Sequence, residues 1–336
     1  MPSPDDAPEA PDQARTCRAY WTVAPGAGEI RTADLPAPGP GEASVRTLHS
    51  GVSRGSETLV HRGEVPPEVA AAMRAPFQEG DLPGPVKYGY LSVGVVEEGA
   101  PSWVGRRVFC LHPHQDRYVV PVSALVPVPD DVPSARAVLA GTVETAVNTV
   151  WDAAPRWADR VAVVGAGMVG ASVAALLRDH PLSELVLVDP DPGRAELAGA
   201  LGVPLVRPED IPGDLDLVVH CSATEAGLAT GLDALGFEGT LVEVSWFGAT
   251  APRVPLGGAF HARRLTIRAS QVGAVSPSRR ARRSTQDRLA LALAELADPV
   301  YDVFLTGSCS FEELPQTLDR LARPGPAGLC TVVDYT

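Results

Sequence analysis

The chain has 336 residues, a net charge of −13 at pH 7, and apolar and charged shares of 45% and 21%. It is about twice as long as a typical domain, so two domains are expected. No apolar run approaches the roughly 20 residues of a membrane span, and an acidic protein lacks the basic surface that a nucleic acid requires. We therefore expect neither membrane nor nucleic-acid partners, and we interpret one basic cluster as a solvated face: Arg279, Arg280, Arg282 and Arg283.

The first residues are acidic and rich in proline, without the cationic flank and apolar stretch of a secretory signal. We expect residues 1–14 to form a disordered tail. Five scattered cysteines, none in a CxxC pair, are typical of a reducing compartment and predict a cytoplasmic location: Cys17, Cys110, Cys221, Cys309 and Cys330.

Residues 17–128 contain short β-prone runs separated by proline- and glycine-rich turns, which predict an antiparallel β-rich domain. The predicted strands are 30–32, 43–48, 91–97, 107–110 and 116–120. From about residue 161 to 273 the pattern changes to apolar strands that alternate with helices, as in a parallel sheet covered by helices. Its predicted elements are strands at 160–164, 184–188, 216–220, 240–244 and 265–269, and a helix at 171–179.

The last part of the chain predicts helices at about 287–296 and 312–321, followed by a final strand at 330–333. A strand at the end of a chain needs a sheet to join. We therefore expect this tail to return to the first, β-rich domain.

The strongest motif is the glycine-rich turn Gly165-Ala166-Gly167-Met168-Val169-Gly170, which follows a predicted strand and begins a helix. Gly165 allows a tight turn, Gly167 lets the backbone approach a pyrophosphate, and Gly170 lets the helix pack on the strand. The helix N-terminus then offers free N–H groups to a diphosphate. Asp189, at the end of the next strand, would bind ribose hydroxyls and favours NAD over NADP, although Arg194 could shift that preference.

Three further segments accompany this domain order: Gly51-Val52-Ser53-Arg54-Gly55-Ser56-Glu57, Val86-Lys87-Tyr88-Gly89-Tyr90 and Ser270-Gln271-Val272-Gly273. Over nearly all of residues 17–336 the chain resembles the medium-chain dehydrogenase/reductase superfamily, the alcohol dehydrogenase-like enzymes. The three segments are most similar to the branch that contains bacteriochlorophyllide dehydrogenase and threonine dehydrogenase-like proteins. The resemblance implies an α/β fold in which residues 15–143 and 274–336 form a GroES-like catalytic domain and residues 144–273 a doubly wound, Rossmann NAD-binding domain, with a homodimer as the expected assembly.

The chain departs from its zinc-using relatives at their metal ligands. Those relatives carry a cysteine where this chain has Ser53, a Gly-His-Glu where it has Gly89-Tyr90-Leu91, and a further cysteine near Gly141. The family's four-cysteine loop is also absent after residues 107–109. Since zinc needs at least three Cys, His or carboxylate ligands, we predict no zinc at either site. One alternative stays open, an unconventional metal site built from Glu57, His112, His114 and Glu144.

Without zinc the proton must be handled by side chains. Tyr90 is the first candidate and would act mainly as an acid at neutral pH unless a cation such as Lys87 lowers the pKa of its phenol. His112 is the second candidate, because its ordinary pKa suits transfer in either direction. Ser53 and Ser56 could relay the proton, and the resemblance places Glu144 in the cleft. Each of these residues also has an ordinary alternative as a packed strand, turn or helix residue.

Other candidate cofactor contacts follow from the resemblance and from strand ends. Arg54 matches a residue that touches the cofactor diphosphate in the resembling enzymes. Ser222, Trp246 and Phe247 follow predicted strands, and open α/β sheets bind cofactors at the carboxyl ends of their strands.

The leading hypothesis is an NAD(H)-dependent enzyme that interconverts a secondary alcohol and a ketone on a small polar, sugar-like or cyclic metabolite. The polarity rests only on the pocket candidates Lys87, His112, His114, Gln115 and Glu144. Two alternatives remain: an NAD(P)H-dependent reductase of an activated C=C bond, and a non-catalytic NAD(H)-binding sensor.

Overall fold

A computed structural model of the chain describes residues 15–323 and 328–336. The predicted disordered tail at residues 1–14 lies outside the described residues. The first strands and helices are β1 (Thr16–Ala24), β2 (Ala27–Asp34), β3 (Glu42–Ser53), α1 (Arg54–Arg62), β4 (Glu79–Gly80), β5 (Val86–Lys87), β6 (Ser92–Glu98), β7 (Arg107–Cys110), β8 (Arg117–Pro121), β9 (Val126–Pro127), α2 (Ser134–Ala137) and α3 (Ala140–Ala153).

The part that contains the parallel sheet follows, and the described chain then ends with two helices and two strands. These elements are β10 (Arg160–Val164), α4 (Met168–Leu177), β11 (Glu184–Val188), α5 (Ala195–Leu201), β12 (Leu205–Val206), β13 (Leu215–His220), α6 (Glu225–Ala234), β14 (Leu235–Glu243), α7 (Ala259–Ala262), β15 (Thr266–Ala269), α8 (Thr285–Glu295), β16 (Leu305–Ser310), α9 (Leu314–Leu321) and β17 (Cys330–Asp334).

The strands form three sheets. One small sheet has the order β2-β1-β5-β4, and a larger one has the order β16-β17-β3-β6-β7-β9 with β8 also paired to β3. The third sheet is parallel and has the order β12-β11-β10-β13-β14-β15. This is the strand order of a doubly wound dinucleotide-binding sheet, so the predicted fold class is confirmed.

A central strand of the parallel sheet, β10, is buried on both faces. Successive side chains of a strand point to opposite faces, and Val161 and Val163 enter one apolar core whereas Ala162 and Val164 enter another. A strand covered on both sides needs a continuous apolar run, which is the pattern of residues 161–164. The covering helices include α4, which the sequence placed at 171–179 and which begins at Met168.

The chain connects the two parts at several points. The predicted boundary between residues 143 and 144 falls inside α3, which packs on both α4 and α8. Strand β17 pairs antiparallel with β3, so the end of the chain does return to the first domain. The largest core also joins the parts, because it contains Leu91 of the β-rich part together with Val161. None of the described helices is long and apolar enough to cross a membrane.

Candidate functional site

The glycine-rich turn has the geometry that each glycine requires. Gly165 has a φ of +104°, and a Cβ there would lie 2.7 Å from the backbone nitrogen of Ser222. A Cβ on Gly170 would lie 1.9 Å from the carbonyl oxygen of Gly165, so only glycine allows this approach of helix and strand. Gly167 is exposed, and a Cβ there would meet no atom within 4 Å. The turn is therefore tight on its inner side and open where a diphosphate would bind.

Charged groups surround this turn as expected of a dinucleotide site. The carboxylate of Asp189 accepts the backbone N–H of Ala166 at 2.8 Å and that of Asp191 at 2.9 Å. A carboxylate has about four lone-pair positions, so two remain for ribose hydroxyls. The pKa of Arg54 is lowered by burial and then by the positive charge of Arg194. Arg54 and Arg194, predicted from separate parts of the chain, thus lie within electrostatic range of each other, a suitable environment for a diphosphate.

The carboxyl edge of the parallel sheet holds a buried chain that sequence reasoning missed. His220, the last residue of β13, places its Nδ1 2.7 Å from Glu243 Oε2 and its Nε2 2.6 Å from Ser222 Oγ. Glu243 is the last residue of β14, and the Phe247 ring lies 6.1 Å from the His220 ring. The sequence could have indicated this chain, because His220 and Glu243 are polar residues at the ends of two predicted strands. The chain fixes Ser222, a predicted cofactor residue, beside Gly165.

A hydroxyl cluster, defined as Tyr90, Ser53 and Ser56, forms in the cleft. The pKa of Tyr90 rises to about 12 through burial and then the charge of Glu57, and the side chains of Ser53 and Ser56 are close enough to its hydroxyl to oppose this rise. The structure thus brings together three of the predicted proton-transfer residues. At neutral pH the phenol is a proton donor.

Lys87 does not act on Tyr90 as predicted. Its ammonium group is buried and bound to Glu79, and it donates to Gln115 Oε1 at 2.7 Å. The condition under which Lys87 would lower the pKa of Tyr90 is not met, because the shift is upward and Lys87 is not among its causes. The ammonium group of Lys87 is held by Glu79 and Gln115 and makes no contact with the Tyr90 hydroxyl that the structure records.

The surroundings of His112 also do not fit the proton-transfer role predicted for it. Its ring stacks on Tyr118 with centroids 3.8 Å apart, and its Nδ1 lies 3.0 Å from the carbonyl oxygen of Pro113. Burial, followed by the nearby charge of Lys87, lowers its pKa to about 3. The prediction of transfer in either direction near neutral pH is therefore wrong: the imidazole is neutral, and its proton is on Nδ1 because a carbonyl can only accept.

Glu144 is not a free acid in the cleft. Arg288 binds its Oε1 through Nε at 3.0 Å and Nη2 at 2.9 Å, and burial raises the pKa of Glu144 although Arg288 opposes this rise. The same guanidinium donates to Asn148 Oδ1 at 2.6 Å and to the carbonyl of Val272 at 2.6 Å. The prediction of a catalytic Glu144 is wrong, since the carboxylate joins α3 to α8 instead.

The alternative metal site does not form. His114 uses both ring nitrogens, with Nε2 2.7 Å from Glu57 Oε2 and Nδ1 2.7 Å from Ser50 Oγ. Glu144 is bound by Arg288, and nowhere in residues 15–323 and 328–336 do three His, Cys, Asp or Glu side chains converge as metal ligands. The proposed set of Glu57, His112, His114 and Glu144 is therefore wrong.

The residues at the family's zinc positions do not fit zinc either. Leu91 is fully buried in the main core, and a Cβ on Gly141 would lie 2.6 Å from its Cδ2. Apolar packing between Leu91 and Gly141 thus occupies two of the positions at which zinc-using relatives carry ligands. Ser53 and Tyr90 offer only hydroxyl groups.

Comparison with known proteins establishes the fold. No family model and no curated protein matches the chain in sequence. Solved structures match it along almost its whole length. An Escherichia coli alcohol dehydrogenase complexed with NADH is 15% identical with a TM-score of 0.75, covering 96% of this chain and 100% of its own.

Two further solved structures are similar. A putative zinc-binding dehydrogenase of Sinorhizobium meliloti bound to NADP is 16% identical, with a TM-score of 0.76 and coverage of 95% and 99%. L-idonate 5-dehydrogenase of Escherichia coli is 16% identical, with a TM-score of 0.76 and coverage of 95% and 98%. The chain has the fold of these dehydrogenases. The likeness confirms the predicted combination of a GroES-like and a Rossmann domain, whereas the branch stays a prediction.

Proposed function

We propose that this protein is a zinc-independent, NAD(H)-dependent oxidoreductase that interconverts a secondary alcohol and a ketone. One observation carries the proposal. Trp246, in the segment after β14 at the carboxyl edge of the parallel sheet, packs on the same apolar cluster as Tyr90. The hydroxyl cluster therefore lies beside the edge at which such sheets bind their cofactors.

The same segment is fixed to the other part of the chain. The backbone N–H of Ala249 donates to the carbonyl of Glu64 at 3.1 Å, and a Cβ on Gly248 would lie 2.9 Å from that carbonyl oxygen. These contacts hold the end of α1 against the segment after β14. They support a cleft whose two walls are held in place before any ligand binds.

The proton chemistry favours reduction of the ketone. Bound NADH would supply the hydride. Tyr90, whose pKa of about 12 keeps it protonated, would donate a proton to the developing alkoxide while Ser53 and Ser56 hold the phenol in position. A phenol of this kind is a poor base near neutral pH, so the opposite direction needs alkaline conditions.

The structure removes the basis for a sugar-like substrate. Lys87 is paired with Glu79, His114 with Glu57 and Ser50, and Glu144 with Arg288, so these polar groups face one another. Tyr90 instead borders Tyr88, edge to face with ring centroids 6.0 Å apart, and the cluster on which Trp246 packs. We therefore favour a cyclic ketone with an apolar ring face over a sugar.

NAD is proposed over NADP on the basis of Asp189. Its carboxylate faces the glycine-rich turn through Ala166 and would repel a 2′-phosphate. Titration with NADH and NADPH, followed by quenching of tryptophan fluorescence, tests this preference. Tighter binding of NADPH would contradict it.

Turnover is tested with NADH and a panel of cyclic ketones, ketoses and enones, comparing Tyr90→Phe with Tyr118→Phe. We expect Tyr90→Phe to lower kcat by about 10²- to 10⁴-fold without weakening NADH binding, as for loss of a positioned general acid. Tyr118 is a buried tyrosine bound to Ser92, and its substitution should leave kcat unchanged. Binding without turnover of any panel member would favour the sensor, and reduction of enones alone would favour the C=C reductase. Full activity of Tyr90→Phe would refute the assignment of Tyr90 as the proton donor.

We further propose that the protein is a homodimer joined through β15. This strand forms one edge of the parallel sheet, and its four residues, Ile267 among them, are all exposed. Exposed sheet edges attract further strands unless they are covered. Antiparallel pairing of two β15 strands about a two-fold axis would cover both edges.

A further inference from the structure

A continuous chain of buried polar side chains starts behind the hydroxyl cluster. Glu57 Oε2 lies 2.7 Å from His114 Nε2, His114 Nδ1 lies 2.7 Å from Ser50 Oγ, and Ser50 Oγ lies 3.1 Å from the Tyr335 hydroxyl. Glu57, His114 and Ser50 are almost completely buried, and Tyr335 is half-buried. We call these four residues the relay. They come from α1, the segment after β7, β3 and the C-terminus, so no local pattern in the sequence predicts them.

The inner end of the relay adjoins the cleft. Glu57 Oε1 accepts the backbone N–H of Ser53 at 2.7 Å, and the charge of Glu57 acts on the phenol of Tyr90. A Cβ on Gly89, the neighbour of Tyr90, would lie 2.9 Å from the imidazole Cδ2 of His114. The relay therefore lies directly behind the residues that we assign to proton transfer.

The outer residue of the relay, Tyr335, is half-buried and borders a pocket at the protein surface. Tyr335 stacks on Phe311 with ring centroids 4.6 Å apart and lines a surface pocket of about 560 Å³. The pocket is also lined by Arg18, Ser310 and Glu312. Water in this pocket would have access to the Tyr335 side chain.

Every atom along this route can both accept and give a proton. Hydroxyl groups donate and accept, an imidazole can take a proton on one nitrogen while it releases one from the other, and a carboxylate can carry the arriving proton. We propose that Glu57, His114, Ser50 and Tyr335 form a proton relay that connects the surface pocket with the hydroxyl cluster. This inference rests on the proposed function for its purpose, although the exchange of protons along the relay does not require turnover.

In the proposed reduction the relay closes the proton balance. The ketone gains a hydride from NADH and a proton from Tyr90, which yields the alcohol, NAD⁺ and a phenolate. A proton that enters at Tyr335 moves through Ser50 and His114 to Glu57, and from there restores the phenol. A phenolate beside the Glu57 charge is disfavoured, so rapid reprotonation matters for the next turnover.

A second buried chain lies beside the relay without joining it. The Tyr20 hydroxyl lies 3.1 Å from His61 Nδ1, and His61 Nε2 lies 2.9 Å from Asp319 Oδ1. The Tyr20 ring meets the His114 ring edge to face, with centroids 6.4 Å apart. Tyr20→Phe thus removes a buried phenol oxygen next to the same imidazole, and it is the matched control for Tyr335→Phe.

The test measures the exchange of the His114 ring proton with water. Protein labelled with ¹⁵N-histidine is studied by NMR saturation transfer as the full chain, with and without NADH. We expect exchange in Tyr335→Phe and Ser50→Ala to slow by about 10²-fold, the lower end of the effect of a positioned proton-transfer group. Tyr20→Phe should exchange as the wild type does. Because Tyr335→Phe keeps its ring stacked on Phe311, it tests the route even where Ser50→Ala is unstable.

The outcomes separate the relay from the proposed function. Unchanged exchange in a folded Tyr335→Phe, or equal slowing in Tyr20→Phe, would overturn the relay. NADH binding is followed in the same samples by tryptophan fluorescence. Slow exchange in the relay variants without any NADH binding would support the relay and refute the proposed oxidoreductase.

Discussion

The Glu144–Arg288 pair allows a direct test of whether Glu144, predicted as a catalytic acid, instead stabilises the fold through a buried ion pair. Both side chains are almost inaccessible, with exposed fractions of 4% for Glu144 and 1% for Arg288. Replacing Arg288 by Met leaves the carboxylate buried without its partner. Breaking a buried ion pair in this way costs about 3–5 kcal/mol of the free energy of unfolding. The double variant Glu144→Leu/Arg288→Met removes both charges and should recover most of that loss.

The loss of stability in Arg288→Met should depend on pH, and its direction follows from the pKa of Glu144. Burial already raises the pKa of Glu144, and Arg288 opposes that rise, so Arg288→Met raises the folded-state pKa further. A carboxyl group whose pKa is higher when folded binds more protons in the folded state, and stability then falls as pH rises. We therefore expect Arg288→Met to be least destabilised near the ordinary carboxyl pKa and most destabilised above the raised one.

Urea unfolding at several pH values measures both effects. Arg253→Met is the control, because Arg253 is 91% exposed in its pair with Glu225 and such pairs contribute about 0–1 kcal/mol. A loss for Arg288→Met no larger than that of Arg253→Met would refute the buried-pair argument. A double variant as unstable as the single one would refute it as well.

Three other predictions follow from single contacts. Gly170→Ala should abolish NADH binding, because the new Cβ would lie 1.9 Å from the Gly165 carbonyl oxygen. The Cβ of the control variant Gly199→Ala would meet no atom within 4 Å, so this variant should bind NADH normally. Equal fluorescence titrations of the two variants would contradict the prediction. His112→Phe should leave the pH profile of kcat unchanged from about pH 5 upward, because a pKa of about 3 keeps the imidazole of His112 neutral in that range. If the variant loses a titration step in this range, His112 does titrate during turnover and the prediction is wrong. If the protein is the proposed dimer, Ile267→Lys on β15 should convert it to a monomer in sedimentation analysis, and an unchanged dimer mass would exclude this edge as the interface.

The sequence by itself determined the features that depend on neighbouring residues. Alternation of apolar strands and helices predicted the parallel sheet, and the strand at 160–164 is observed at the same bounds. The spacing of Gly165, Gly167 and Gly170 predicted a turn whose tight and open positions the structure reproduces. These features were accessible because turn geometry and strand burial act over a few residues.

Only the tertiary structure decided what the polar side chains do. Glu144 looked like a cleft acid until Arg288, 144 residues further on, was placed beside it, and His114 looked like a ligand until Glu57 and Ser50 occupied both of its nitrogens. Chain order does not reveal such partners, because the pairing depends on how distant strands and helices pack. The sequence singled out Tyr90, Ser53 and Ser56 separately, but the high pKa of Tyr90 comes from burial and from Glu57, which only the packed fold supplies.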